Sequence, residues 1–242
     1  MSLVTRSIVP HKPARSGRPA QLIDLPDPAA ELSVVLVVQS AGDVLAPVLA
    51  DAADALAGEL EAWDLFVVDH GPGDHGPAVV DGWSAQVPEI RGIWVGSQVS
   101  FHEAVQVGLG NTRHRPVLIS DLRGRIPLGQ VSELLPWLER VDLVVGRSRH
   151  AKPNAVRSLW RRWCLGRRVP ELEPAFVLLG ERALDVLDSM PADLDFEAAL
   201  ALMAARSGLA WCEVSVDGPP VTPRKSAWRS TLEWLRVRRA AH

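Results

Sequence analysis

The sequence has few cysteines, no tyrosine and no long apolar run. Its two cysteines, Cys164 and Cys212, are far apart in a chain of 242 residues. They exclude a disulfide scaffold and a cysteine-based zinc cluster, and they are typical of a reducing compartment. No apolar run approaches the roughly 20 residues that a membrane-spanning helix needs, and the first residues lack the apolar core of a signal peptide. The chain has neither a Walker-type loop nor a Gly-x-Gly-x-x-Gly loop. A hydrophobic share of 47% and a charged share of 23% exclude a largely disordered chain.

The net charge of −3 hides two regions of opposite sign. Residues 1–145 carry 10 basic and 18 acidic side chains, whereas residues 146–242 carry 16 basic and 11 acidic ones. The positive charge is concentrated at 147–168, with eight basic residues and no acid, and at 224–239, with six basic residues and one acid. Of the 26 basic residues, 23 are arginine, whose forked guanidinium suits phosphate. This asymmetry indicates either an anionic partner or well-solvated helix faces.

From residue 31 onward, short β-branched apolar runs alternate with amphipathic stretches. The first run, Leu32 to Val38, is typical of a strand buried on both faces, and the stretch from Val44 to Glu61 has its apolar residues at helical spacing. The further predicted strands are 64–69, 90–96, 116–121 and 141–146, and the further predicted helices are 79–86, 101–110 and 128–140. This alternation predicts an α/β layer architecture with a largely parallel sheet.

Polar side chains follow the predicted strands at their carboxyl ends, where the ligand crevice of an open sheet lies. They are Gln39 and Ser40, Asp69 and His70, Ser97 and Gln98, Asp121 and Arg123, and Arg147 and Arg149. Such a set is suited to a nucleotide and a divalent ion. The loop from Asp69 to His75 also has two aspartates and two histidines, as a metal site would, but ordinary turn chemistry explains its composition as well.

The two basic stretches also contain tryptophan. Trp160 and Trp163 share one predicted helix face, and Trp228 shares another with Leu232 and Leu235, with arginines around both faces. Tryptophan and arginine on an amphipathic helix are typical of an interfacial membrane segment, in which each basic residue near anionic lipid adds about 1 kcal/mol. A helix that packs its tryptophans on the core explains the same pattern. A nucleic-acid partner is disfavoured, because the other half of the chain is acidic.

Several segments keep a distinctive order and spacing. They are Ser33-Val-Val-Leu-Val-Val38, Phe66-Val-Val-Asp-His-Gly71 followed by Asp74, Val117-Leu-Ile-Ser-Asp-Leu122, Val169-Pro-Glu-Leu-Glu-Pro-Ala-Phe176, and Asp195-Phe-Glu197 with Gly208-Leu-Ala-Trp-Cys-Glu-Val214. Over roughly residues 31–220 they resemble the family-2 glycosyltransferases with a GT-A fold, especially the polyprenyl-phosphate sugar transferases related to dolichol-phosphate mannose synthase. The second segment resembles the family's strand that ends in Asp-Asp-Gly-Ser, the third its Asp-x-Asp metal strand, and the fourth its acceptor-side segment.

The resemblance implies a three-layer GT-A fold with a mostly parallel central sheet over residues 31–222, between a flexible tail at 1–30 and a basic amphipathic helix at 223–242. It implies a nucleotide-sugar donor and a Mg²⁺ or Mn²⁺ ion. The expected donor contacts are Gln39, Asp69, Ser97, Gln98 and Asp121, with Asp121 also the metal ligand. The expected acceptor or phosphate contacts are Arg123, Arg147 and Arg149, and the candidate catalytic bases are Glu171, Asp195 and Glu197. The expected acceptor is a lipid phosphate, and the expected location is cytoplasmic, at the inner face of the membrane.

Several positions depart from the family pattern. His70 stands in place of the second carboxylate of Asp-Asp-Gly-Ser, Ile119 in place of the first aspartate of Asp-x-Asp, and the loop at 98–101 has no lysine. One carboxylate together with substrate phosphates still makes a usual magnesium site, and arginine can neutralise a leaving diphosphate without metal. Two functions therefore remain open: an active glycosyltransferase, and a catalytically degenerate relative that serves as a binding or scaffold protein.

Overall fold

The computed structural model describes residues 31–71, 73–122, 126–150, 176–187 and 194–218. Its strands are β1 (Glu31–Val38), β2 (Ala62–Asp69), β3 (Ile90–Trp94), β4 (Val117–Asp121), β5 (Leu143–Ser148), β6 (Phe176–Leu179) and β7 (Trp211–Val216). Its helices are α1 (Gly42–Glu59), α2 (Gly76–Ser84), α3 (Phe101–Leu109), α4 (Glu181–Leu187) and α5 (Phe196–Ser207). The predicted tail at 1–30 and the predicted helix at 223–242 lie outside the described residues.

The strands form one sheet in the order β3-β2-β1-β4-β6-β5-β7. All neighbouring strands pair in parallel except β6, which runs antiparallel to both β4 and β5. The predicted α/β class and the mostly parallel sheet are therefore confirmed. The insertion of β6 between β4 and β5 was not predicted, because four buried residues are too few to show a period.

The predicted helix at 128–140 is instead two short 3₁₀ helices, Leu128–Glu133 and Leu135–Glu139. Pro136 lies near the start of the second one. Proline has no backbone N–H to donate, and its ring clashes with the carbonyl four residues earlier, so Pro136 disfavours one continuous α-helix over 128–140. The apolar spacing alone does not reveal this interruption.

The sheet is the middle layer of three. Along β1, Leu32, Val34 and Leu36 pack on the face that α1 covers, where Leu45, Leu49 and Leu56 are buried. Val35 and Val37 point to the other face, where residues of α3, α4 and α5 are buried. Alternating side chains along one strand thus serve both layers. Burying each such leucine stabilises the fold by about 1.5–3 kcal/mol.

Short connections bring every parallel strand back to the same orientation, so their carboxyl ends share one edge of the sheet. The parallel β-α-β units therefore present one polar edge, the carboxyl edge, on which most of the predicted site residues lie.

Among the described residues, no helix is long and apolar enough to span a bilayer.

Candidate functional site

Two buried carboxylates mark the carboxyl edge. Asp69 is the last residue of β2 and is 7% exposed, and Asp121 is the last residue of β4 and is 3% exposed. In the sheet register Val38 pairs with Asp69, and its neighbour Val37 pairs with Asp121. The two aspartates therefore flank the end of β1 with their backbones roughly 10 Å apart, two strand spacings. The edge holds both predicted anionic residues at the ends of the two strands on either side of β1.

Asp69 closes the turn that follows its strand. Its Oδ1 accepts the backbone N–H of Gly71 at 2.7 Å. A Cβ atom at Gly71 would lie only 2.5 Å from the backbone nitrogen of Ser40, and Ser40 itself has a φ of 52°. The loops after β1 and β2 thus meet backbone to backbone, which only glycine permits at this position.

Asp74 joins the amino ends of two helices. Its Oδ2 accepts the N–H of Gly42, the first residue of α1, at 3.0 Å, and its Oδ1 accepts the N–H of Gly76, the first residue of α2, at 2.7 Å. These two backbone hydrogen bonds hold the pKa of the Asp74 carboxyl below its ordinary value. A negative charge is favourable at both helix amino ends. The sequence pattern indicated a metal site as one explanation of the loop that contains Asp74, whereas its oxygens accept these two backbone amides.

His70 connects the loop after β2 to the start of α3. Its Nδ1 donates to the carbonyl of Val99 at 3.1 Å, and its ring contacts the Phe101 ring edge to face with centroids 6.3 Å apart. Phe101 in turn contacts Phe196 at 5.8 Å, and Nδ1 of His102 donates to the carbonyl of Leu194 at 2.9 Å. These contacts place the amino end of α5 beside the carboxyl edge.

Two of the three candidate catalytic bases lie at this end of α5. The Oδ1 of Asp195 accepts the N–H of Ala198 at 2.9 Å, so Asp195 is the N-cap of the helix. Glu197 lies in the first turn and is buried. The third candidate, Glu171, lies outside the described residues. The structure therefore brings Asp195 and Glu197 to the edge that holds Asp69, and it assigns Asp195 a capping role.

The predicted acceptor arginines lie on the far side of the same edge. Nη1 of Arg147 is 3.6 Å from Glu213, and Nη1 of Arg149 is 3.0 Å from Asp217. These carboxylates offset part of the arginine charge. β5 is two strands from β4, so the arginines begin roughly 10 Å from the backbone of Asp121. Arg123 lies outside the described residues.

The remaining predicted donor contacts are exposed. Gln39 follows β1, and Ser97 and Gln98 follow β3. Trp94 was not predicted as a site residue, although it ends β3, is paired in register with Asp69 and is 42% exposed. A tryptophan near the end of a short predicted strand, close to Gly96, is the signal that could have identified it.

Carboxylates and histidines do not gather into a preformed metal centre in the described part of the chain. Within residues 31–71, 73–122, 126–150, 176–187 and 194–218, no group of three or more histidine, cysteine, aspartate or glutamate side chains is placed to hold a metal ion. The loop from Asp69 to His75 is therefore not a metal site by itself. Most of the two tryptophan-bearing basic stretches lies outside the described residues.

No protein-family model and no curated protein sequence matches the chain. Solved structures do match it. The mannosyltransferase PcManGT from Pyrobaculum calidifontis, in complex with GDP-Man and Mn²⁺, is similar with a TM-score of 0.56 and 16% identity, over 88% of this chain and 63% of that one. Glucosyl-3-phosphoglycerate synthase from Mycobacterium tuberculosis, in complex with Mn²⁺, UDP-Glc and phosphoglyceric acid, has a TM-score of 0.62 and 18% identity, over 88% of this chain and 81% of that one. The same synthase with Mg²⁺ and UDP has a TM-score of 0.59, over 86% and 79% of the two chains.

These similarities concern the fold. The three-layer architecture with its mostly parallel sheet is the GT-A type that the resemblance implied, and the similar structures are nucleotide-sugar glycosyltransferases. The chain spans less than two thirds of the mannosyltransferase's own length. At 16–18% identity the shared architecture does not transfer a substrate or a catalytic residue.

Proposed function

We propose that the protein is a glycosyltransferase that takes a sugar from a nucleotide-sugar donor bound at the carboxyl edge. The observation that carries the proposal is the pair of buried carboxylates, Asp69 and Asp121, at the ends of the strands on either side of β1. In open α/β sheets, ligands bind beyond the carboxyl ends of the strands, and the similar solved structures contain nucleotide sugars, which supports the choice of this edge.

In this proposal Asp69 orients the nucleoside. A carboxylate accepts hydrogen bonds from a base N–H or from ribose hydroxyls, and the Gly71 amide holds its Oδ1 in place. Gln39, Ser97 and Gln98 are exposed around Asp69 and supply neutral donors and acceptors. Trp94, next to Asp69 in register, adds an apolar surface at the same edge.

Asp121 is the residue that would hold Mg²⁺ or Mn²⁺. Magnesium is usually bound through one or two carboxylates together with substrate phosphates and water, so a single buried aspartate at a strand end fits the ion. When bound, the ion would neutralise charge on the diphosphate leaving group. The similar mannosyltransferase and synthase structures contain Mn²⁺, which supports this choice.

For the acceptor, we propose an anionic compound, with a lipid phosphate as the specific candidate. Arg147 and Arg149 lie at the carboxyl edge, and Arg123 follows β4 in sequence. The chain leaves the described sheet after β5 and re-enters it at β6, and both of these ends lie at this edge. The synthase complex contains phosphoglyceric acid, which is also an anion.

Glu197, Asp195 and Glu171 remain the candidate bases that would accept the acceptor's proton. Glu197 and Asp195 lie at the start of α5, which contacts the donor edge through Phe196 and Phe101. A cytoplasmic protein held at the inner membrane face by its two stretches rich in tryptophan and arginine would meet a lipid phosphate there. Flotation with anionic vesicles, but not with neutral ones, tests this location.

Calorimetric titration with UDP and GDP in Mn²⁺ tests the donor site. Asp69→Asn and Asp121→Asn keep the side-chain shape and remove the charge, and Asp51→Asn on the exposed face of α1 is the matched control. We expect one nucleotide to bind, and each edge variant to weaken it roughly tenfold or more, because a hydrogen bond to a charged group contributes about 1.5–3 kcal/mol. Absence of binding, or equal binding by all variants, would contradict the proposal.

One observation favours a second function, a nucleotide-binding protein without transferase activity. Ile119, in place of the expected first metal aspartate, is fully buried in the core, and His70, in place of a carboxylate, donates to Val99. Both side chains therefore make structural contacts where the family has carboxylates that contact the nucleotide sugar or the metal. Release of nucleoside diphosphate from UDP-Glc or GDP-Man above the rate of the Asp69→Asn variant would exclude this alternative.

A further inference from the structure

The amino end of α3 lies between the donor loop, defined here as residues 69–71, and the amino end of α5. On the donor side, Nδ1 of His70 donates to the carbonyl of Val99 at 3.1 Å, and the His70 ring meets the Phe101 ring edge to face. On the other side, the Phe101 ring meets the Phe196 ring in the same way, with centroids 5.8 Å apart. Among the ring contacts of the described residues, His70 reaches Phe196 only through Phe101.

A second contact joins the same helix end to the segment that leads into α5. His102, next to Phe101 in α3, is 5% exposed, and its Nδ1 donates to the carbonyl of Leu194 at 2.9 Å. Its ring lies 6.2 Å from the ring of Phe196, which is fully buried. A displaced ring would leave a gap in a close-packed interior. A shift of the α3 start therefore displaces the α5 start with it.

The first turn of α3 is itself held together by a capping box. The backbone N–H of Glu103 donates to the Ser100 hydroxyl at 3.2 Å, and the backbone N–H of Ser100 donates to Oε2 of Glu103 at 2.8 Å. These two bonds satisfy amides that the start of a helix otherwise leaves without partners. The turn that carries Phe101 and His102 therefore moves as one unit between its two neighbours.

The α5 start carries the candidate base Glu197. This residue follows Phe196 in the first turn and is 8% exposed, and the N-cap Asp195 fixes the turn through the N–H of Ala198. A general base must come within hydrogen-bond distance of the proton that it accepts, and a misplacement of about 1 Å can cost about a hundredfold in rate. Contacts that set the position of the α5 start therefore also set the reach of Glu197.

We propose that Phe101 is a positioning residue that couples the donor loop to the α5 start, so that a nucleotide bound beside Asp69 sets the position of Glu197. The role of the nucleotide rests on the proposed function, whereas the coupling between His70 and α5 is a property of the free protein. An edge-to-face ring pair changes an equilibrium constant roughly two- to tenfold. This range is the size of the coupling that we expect.

Hydrogen exchange of the free full chain tests the coupling with a double-mutant cycle. His70→Gln keeps a donor for the Val99 carbonyl and removes the ring, and His75→Gln, at an exposed position of the neighbouring turn, is the matched control. His70→Gln should speed exchange at the amides of residues 198–199 roughly two- to tenfold, and the control should leave it unchanged. In a Phe101→Leu background, His70→Gln should have no effect on these amides.

The two backgrounds also decide whether the proposal fails. No effect of His70→Gln on the amides of residues 198–199, or the same effect with and without the Phe101 ring, would overturn the coupling. If Phe101→Leu does not fold, Phe101→Met takes its place, since it also removes the ring and keeps an apolar side chain.

A ¹⁵N NMR titration with UDP and with GDP in Mg²⁺ tests the role of the nucleotide. The nucleotide that shifts the amides of residues 69–71 should also shift those of residues 194–199, and Phe101→Leu should remove the second set and keep the first. Shifts at 69–71 without shifts at 194–199 in the wild type would overturn the proposal. Absence of any nucleotide shift would refute the proposed donor site and the role of the nucleotide with it, and the exchange cycle still decides the coupling.

Discussion

Gly146, on β5, provides a sharp test of how the sheet is packed next to the proposed acceptor region. A Cβ atom placed at Gly146 would lie 2.4 Å from Cδ1 of Phe176, the first residue of β6. Carbon atoms in contact are normally about 3.5–4.0 Å apart, and Phe176 is fully buried. Either the ring or the β5 backbone must therefore shift when Gly146 is replaced by alanine.

The expected cost follows from these contacts. Overpacking a filled core costs about 1–3 kcal/mol, and replacing glycine by alanine recovers about 0.4–1 kcal/mol from the unfolded chain. The Gly146→Ala protein should therefore lose about 1–2 kcal/mol of unfolding free energy. For a domain of this size, that loss lowers Tm by roughly 2–8 °C. Urea unfolding and thermal unfolding followed by circular dichroism measure both quantities.

Two further proteins complete this test. Gly58→Ala, in the last turn of α1 with no atom within 4 Å of the added Cβ, should gain up to about 1 kcal/mol. Gly146→Ala combined with Phe176→Leu should be less destabilised than the sum of the single changes, because the smaller side chain leaves room for the methyl group. A Gly146→Ala protein as stable as the wild type, or strict additivity in the double variant, would refute the packing argument.

Asp74→Asn should destabilise the protein at pH 7, because Asp74 accepts from Gly42 and Gly76 as a charged group. The pKa of Asp74 is lowered from 3.8, so its contribution to the free energy of unfolding is present above that value and is lost as the pH falls through the folded-state pKa. The unfolding free energies of the wild type and the variant, measured with urea from pH 7 to pH 2, should therefore converge at low pH. A difference that stays constant with pH would contradict this role. Burial, with a smaller effect of the Glu213 charge, raises the pKa of the Cys212 thiol to about 11, so in a Cys164→Ser background a thiol reagent at pH 8 should modify it only after unfolding. Rapid modification of the native protein would show that Cys212 is accessible.

The strands were predictable because they are continuous apolar runs buried on both faces. Leu32 to Val38 has no polar residue except Ser33, and its short length and high valine content favour a strand buried between two helical layers. β6 was not predictable in the same way, since Phe176–Leu179 is too short to distinguish from a helical segment. Its position between β4 and β5 depends on contacts distant in sequence, such as that between Gly146 and Phe176.

The candidate site was predictable in position but not in detail. The carboxyl ends of parallel strands must share an edge, and this rule alone brings Asp69 and Asp121 together. The rule does not tell which polar groups are already engaged. Asp74 and Asp195 accept backbone amides at helix amino ends, and only the folded arrangement of the helices shows this.

The burial of Asp64 could not be foreseen for a related reason. Asp64 begins the predicted strand 64–69 and resembles an ordinary exposed end residue, whereas in the structure it is the third residue of β2 and is buried. Its burial depends on the loop after α3. Hydrogen bonds from the backbone N–H groups of Arg113 and His114 to the Ser33 hydroxyl hold this loop beside Asp64. Contacts across 80 residues of sequence leave no local pattern.

The donor site at the carboxyl edge is tested most directly by a ¹⁵N NMR titration with UDP and with GDP in Mg²⁺. We expect one nucleotide to produce saturable shifts at the amides of residues 38–40, 69–71, 95–98 and 120–122, and Asp121→Asn to reduce the affinity for it. Shifts confined to the opposite edge of the sheet, at residues 63–64, 89–91 and 113–115, or no saturable shift with either nucleotide, would contradict the assignment of the carboxyl edge as the donor site.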